Sequence, residues 1–205
     1  MTVSDKTARL AVASLESLET RKRILAEAER LFRVYGYSKT TVGDIAKAAR
    51  MSSANVYRFF VSKSDINNAI CERVITEDEL AMIGIARLPL PASERLRRFI
   101  VELNRRSVEN FTENKQLHEM VTVALAERWT AIRAHIHRVS DVVATIIVDG
   151  IADGEFRQQD AKRAAECVTA AMVALRHPMV LVQCMDDPQK ATPAELADFI
   201  INALK

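Results

Sequence analysis

The stretch from Thr40 to Lys63, TTVGDIAKAARMSSANVYRFFVSK, leaves little freedom in how this chain can fold. It carries two helix-start signals in close succession, so a turn must lie between them. Thr41 is a good N-cap, and Asp44 three residues on completes a box that satisfies free backbone N–H groups. From there Val42, Ile45, Ala46 and Ala49 recur at helical spacing, giving a short helix with one apolar side. Arg50-Met51 makes the turn. Ser52 then caps a second helix, expected to run to about Phe60, in which Val56, Phe59 and Phe60 suit packing. Ser53, Asn55, Tyr57 and Arg58 are left to face outward. Ser62 and Asp65 repeat the capping arrangement and open a third helix. Helix, short turn, helix, with hydrogen-bonding side chains at the front of the second, is the layout that enters a DNA major groove.

On either side of this stretch the pattern is helical. Residues 1–17 are mixed and are expected to form a frayed helix or an arm, with Lys6 and Arg9 able to reach a phosphate. From about Leu18 to Tyr35, the residues Ile24, Leu25, Ala28, Leu31, Phe32 and Tyr35 mark an amphipathic helix that Gly36 stops. Residues 18–63 thus read as a three-helix head. The helix opened by Ser62 continues through Ile66, Ile70 and Val74 to about Met82, into a body spanning 64–205. Leu88-Pro89-Leu90-Pro91 breaks the chain, because proline cannot continue a helix. Ser93 is expected to cap the next helix, striped with Leu96, Phe99, Ile100, Leu103 and Val108. Residues Asn114 to Glu127 give another, with Leu117, Met120, Val121, Ala124 and Leu125. A long one follows from Trp129 to Asp153, ended by Gly154. Asp160 caps AKRAAECVTAAMVALRH, rich in small residues, and Thr192, Pro193 and Glu195 signal a last helix. Small residues let helices approach closely, so the pair at about 160–204 is the candidate subunit interface, internal packing being the alternative.

Composition fits an all-α protein: of 205 residues only 5 are Gly and 5 Pro, with 49% hydrophobic but 5% aromatic. Cys71, Cys167 and Cys184 lie far apart, with neither paired metal spacing nor a disulfide framework, which favours a reducing cytosol. The chain starts without a signal peptide's apolar core, and charge interrupts every apolar stretch before about 18 residues, so a cytoplasmic location without a membrane partner is expected. The net charge of +2 is uneven, residues 1–63 carrying +6 and residues 64–205 carrying −4, as a phosphate-binding head on a separate body would. His135 and His137, two apart on a helix, point about 200° apart and cannot chelate together. His118 and His177 lack an acidic or Cys partner at ligand spacing. With no Gly-rich phosphate loop, nucleophile elbow or Cys-His arrangement, neither a metal, a cofactor nor a catalytic site is expected.

The segment from about Thr20 to Ile75 resembles the N-terminal DNA-binding domain of TetR-type (TetR/AcrR) transcriptional regulators. The resemblance rests on AEAERLFRVYGYSKTTVGDIA, NVYRFF and the Ser62-Lys63 pair. The family usually has Gly where this chain has Arg50 and Ala54, and a left-handed Arg50 would cost about 1 kcal/mol relative to Gly. The resemblance implies DNA contacts at Thr41, Ser52, Ser53, Asn55, Tyr57, Arg58 and Lys63. Thr41, Tyr57 and Lys63 would hold phosphates, and Asn55 and Arg58 would read base edges; Ser52 serves mainly as a cap. It also implies that the last two long helices pair with a second copy of the chain. A helical body can close around a small molecule, and Phe99, Leu103, Met120 and Trp129 are the bulky candidates to line such a site, ordinary core being the alternative for each. The expected protein is a homodimeric regulator, most directly a repressor of a palindromic operator, released by a small, mainly apolar effector. The alternative is a helical small-molecule-binding or scaffold protein with a degenerate DNA-binding head.

Overall fold

The computed structural model describes residues 3–111, 119–123, 129–184, 186–187 and 190–205, and the regular elements among them are α-helices. The chain divides into two compact units, Met1–Cys71 and Glu72–Lys205.

The first unit holds α1 (Val3–Tyr35), α2 (Val42–Ala48), α3 (Ser53–Tyr57) and the start of α4 (Lys63–Ala86). No Gly or Pro interrupts residues 3–35, so nothing stops helix propagation there. The segment 1–17, expected as a frayed helix or an arm, is helical from Val3 onward, as part of α1. Gly36, at φ 90°, ends α1, its N–H donating to Phe32 O at 2.9 Å. Ile24, Ala28, Phe32, Ile45 and Val56 are buried together with Phe60 as the core. Tyr37 meets Phe32 edge to face at 5.3 Å between centroids, and the buried Thr40 hydroxyl donates to Gly36 O at 2.9 Å. Those contacts fix the link into α2.

Helix α3 is shorter than expected, ending at Tyr57 with Arg58 as its C-cap. The reason is local. Apart from Arg58, Val56 through Val61 are β-branched or aromatic residues of weak helix propensity, and the Phe59 N–H bonds three residues back to Val56 O at 2.9 Å. The backbone tightens into a turn that leaves Phe60 in the core. Ser62 Oγ then accepts the Asp65 N–H at 3.1 Å and opens α4, which runs past Met82 to Ala86.

The second unit holds the rest of α4, α5 (Ala92–Phe111), α6 (Trp129–Ala152), α7 (Ala161–Ala171), α8 (Val173–Arg176), α9 (Pro178–Gln183) and α10 (Pro193–Leu204). Helix α6 packs on α5 and α7, and α5 also meets α8, α9 and α10. One apolar core joins Leu96, Phe99 and Ile100 of α5 to Val143, Ile146 and Ile147 of α6 and to Ile200 and Ile201 of α10. Gly150 is required where α6 meets the following loop, since a Cβ there would run into the Phe156 ring and lie 2.8 Å from Ala92 Cβ.

Two expectations for this unit change. Ser93 does not cap α5. The cap is Glu155, which accepts the N–H groups of Ala92 and Ser93 at 2.6 and 3.1 Å and the Ser93 hydroxyl at 2.6 Å. Burial pushes the Glu155 carboxyl up, but these bonds outweigh it and hold the group below its usual range. The helix expected over AKRAAECVTAAMVALRH breaks after Ala171 and again at His177, which is extended at φ −72° and ψ 122°, as the residue before a proline prefers. Of the helix expected over 114–127, residues 119–123 are helical, while Leu117, His118, Ala124 and Leu125 lie outside the described residues. Among the described residues no helix is long and apolar enough to cross a membrane.

Candidate nucleic-acid interface

The start of α2 is built by a reciprocal box. Thr41 Oγ1 accepts the Asp44 N–H at 3.1 Å and donates to Asp44 Oδ2 at 2.6 Å, which also accepts the Thr41 N–H at 2.9 Å. Those bonds from Thr41 hold the exposed Asp44 carboxyl below its usual range. With the Thr41 hydroxyl proton committed to Asp44, the donors that remain for a phosphate are the first-turn N–H groups of Val42 and Gly43.

The turn to α3 is a Schellman arrangement, with Arg50 N–H on Lys47 O at 3.2 Å and Met51 N–H on Ala46 O at 2.9 Å. It needs a left-handed residue, and Arg50 supplies it at φ 54°. Ser52 then caps α3 by accepting the Asn55 N–H at 3.2 Å. Ser52, Tyr57 and Arg58 are exposed, whereas Ser53 and Asn55 are half-buried. Tyr57 keeps 53% of its surface exposed although it is a large aromatic, and Val56 beside it turns wholly inward. Arg58 Nη1 lies 3.4 Å from Asn55 Oδ1, so the two candidate base readers stand side by side on one face. Lys47 and Arg50 are exposed as well. Sequence reasoning treated Arg50 only as a turn residue and passed over Lys47; their charge at the α2–α3 junction was the available signal.

Lys63 is placed differently from a free surface cation. Its ammonium donates to the carbonyls of Tyr37 and Thr40 at 2.9 and 3.1 Å and sits 4.3 Å from the Tyr37 ring centroid. The geometry makes it a tie on the segment that delivers Thr41, with one N–H left over.

In the second unit, Phe99, Leu103 and Met120 are buried, the first two within the main core. A groove of about 220 Å³ between α4 and α6 is lined instead by Glu79, Met82, Ile83, Arg138, Val139, Asp141 and Val142. Trp129 opens α6, but its side chain lies outside the described residues. His135 Nδ1 is 2.7 Å from Glu79 Oε1, and no group of three or more potential ligands is placed to hold a metal ion among the described residues.

Comparison with known proteins matches both units. Residues 24–70 match the family model described as bacterial regulatory proteins, tetR family, and residues 92–197 match the tetracyclin repressor-like C-terminal domain. The chain is 24% identical over 165 residues to the uncharacterized HTH-type transcriptional regulator YhgD of Bacillus subtilis, covering 78% of this chain and 83% of YhgD. Over 57 residues it is 46% identical to the HTH-type transcriptional regulator AcrR of Shigella flexneri, 28% of this chain and 26% of AcrR. A solved TetR/AcrR-family regulator from Thermobifida fusca has the same fold, with a TM-score of 0.67 at 23% identity over 91% of this chain and 96% of that one. With the C-terminal model alone spanning more than half of its length, the chain belongs to the TetR family of helix-turn-helix transcriptional regulators, DNA-binding proteins and not enzymes.

Proposed function

We propose that this regulator is a repressor that binds a palindromic operator as a homodimer and is released by a small, mainly apolar effector. DNA binding belongs to residues 18–63, and effector binding and dimerisation to 64–205. The observation that carries the reading is the outward face of α3, where Asn55 and Arg58 stand together beside the exposed Tyr57. Asn pairs with adenine and Arg with guanine at two points each, discriminating by about 1–3 kcal/mol per contact. Ser52, Ser53 and Tyr57 flank them, Thr41 presents the α2 N-terminus, and Lys63 holds that terminus in place.

Dimerisation is supported by large apolar side chains exposed within 160–204. Val173, Met179 and Val182 keep 45%, 42% and 40% of their surface exposed and Phe199 keeps 73%, so covering what remains is worth about 0.5–1.5 kcal/mol for each of the first three and about 1–2 kcal/mol for Phe199. An effector is supported by two proteins that share the fold: SmeT, the repressor of a multidrug efflux pump, is solved with triclosan, and RolR with its ligand resorcinol. Helix α4 contributes to both units and is the coupling element. An effector releases DNA only by preferring the released state; tight but equal binding changes nothing.

The test is operator affinity of Arg58→Ala and Tyr57→Phe on specific and random duplex. Arg58→Ala is expected to lose discrimination, and Tyr57→Phe to weaken both duplexes alike. Wild-type affinity and discrimination in both variants would sink the assignment.

A further inference from the structure

One cation of the head is held in a costly backbone conformation and then left without a partner. Among the described residues Arg50 is the one non-glycine residue at positive φ, 54°. Its Cβ crowds the backbone there, a strain that glycine avoids and asparagine or aspartate bears more easily. The turn itself asks only for the left-handed conformation, which the bonds from Arg50 N–H to Lys47 O and from Met51 N–H to Ala46 O enforce at 3.2 and 2.9 Å. The side chain is exposed, and among the described residues its guanidinium has no hydrogen bond, ion pair or ring contact.

Several cations of the same unit show what a structural role looks like. Lys22 closes on Glu19, Arg30 on Glu27 and Arg33 on Glu29, each at 2.9 Å, and Lys63 is tied to two carbonyls. Lys47, one turn before Arg50, acts on the Asp44 carboxyl. Position decides what Arg50 can reach instead. Only Met51 separates it from Ser52, the N-cap of α3, and Met51 Sδ accepts from Asn55 Nδ2 at 3.8 Å, so the junction is bonded to one of the two candidate base readers. In a helix-turn-helix complex the N-terminal residues of the recognition helix meet base edges, while the helix before it crosses the sugar–phosphate backbone. The residue that joins the two therefore stands at the edge of the groove, over the phosphates.

We propose that Arg50 is a phosphate anchor of the DNA interface, its guanidinium fork taking two oxygens of one backbone phosphate in each half-site. A glycine there, the family's usual residue, has no side chain to make that contact. The strain then sits at the functional surface, where such backbone outliers gather. This rests on reading α3 as the helix that enters the groove.

The test pairs thermal unfolding of the full chain with its binding, over a series of salt concentrations, to random duplex and to DNA from upstream of its own gene. Arg50→Gly is expected to raise Tm by about 2–4 °C, because it relieves the left-handed strain, and yet to weaken binding to both duplexes alike. The slope of log affinity against log salt should flatten by about 0.9 for each Arg50 lost, or about 1.8 for a dimer. Arg50→Gln, which keeps a side chain at the strained position, should lose the same slope without the gain in Tm. Arg50→Lys should keep the slope. A wild-type slope in Arg50→Gly or Arg50→Gln overturns the proposal. So does a loss confined to the upstream DNA, which would mark base reading, or a Tm that falls in both uncharged variants, which would give the side chain a structural task. Failure of the groove-entering reading shows separately, as a wild-type chain that binds neither duplex, and takes this proposal with it.

Discussion

Replacing Lys63 by methionine removes the ammonium and keeps most of the stem. The wild-type ammonium donates to two carbonyls at 2.9 and 3.1 Å and stands 4.3 Å from the Tyr37 ring. Hydrogen bonds from a charged donor contribute about 1.5–3 kcal/mol each, and the ring contact about 0.5–1 kcal/mol. Lys63 is half-buried, so water reaches part of the site and takes over some of the carbonyl bonding. A net loss of about 2 kcal/mol follows, below the low end of that sum because water replaces part of the bonding. With a urea m-value of about 2 kcal/mol per molar, the head's unfolding midpoint should fall by about 1 M. The assay is a urea titration followed by circular dichroism, with hydrogen exchange of the α2 amides to localise the loss. A midpoint and α2 exchange rates equal to wild type would refute the tie. If the ammonium served only a phosphate, the variant would unfold normally and lose about one unit of salt slope in DNA binding.

Two further perturbations probe the body. Gly150→Ala drives a methyl into the Phe156 ring and to within 2.8 Å of Ala92 Cβ; despite alanine's better helix propensity it should destabilise by about 1–3 kcal/mol, read as a lower Tm. His135 has a folded-state pKa below its ordinary 6.5, because burial outweighs Glu79. As pH falls through 6.5 the unfolded chain therefore takes up the proton first, and stability is lost from there downward. His135→Gln, which keeps a donor for Glu79, should flatten the fall in Tm between neutral and mildly acid pH; an unchanged profile would show that His135 does not carry it.

What was legible in the sequence is what short-range chemistry decides. Thr41 with Asp44 and Thr192 with Glu195 form full boxes, and Ser52 and Asp160 cap as read, because cap and capped N–H lie within three residues. The left-handed Arg50 was raised by the family resemblance, as the residue standing where the family usually has glycine. What escaped is long-range. Glu155 caps α5 from a position 63 residues away, so Ser93 looked like the cap only because it stood next to the break. The Lys63–Tyr37 tie spans 26 residues, and no periodicity announces it. Phe99 and Leu103 were read as bulky enough to line a pocket or fill the core; both sit in the main core cluster, a placement that a stripe pattern does not announce.

The central claim is that two copies of α3, presented by a dimer, read one face of a duplex. Hydroxyl-radical footprinting of the full chain on DNA from upstream of its own gene tests this most directly. The account predicts two protected half-sites related by a two-fold axis, centred about 34–36 Å apart along one face and unmoved by excess random duplex. Protection spread evenly along the fragment, or none that survives random competitor, would contradict it.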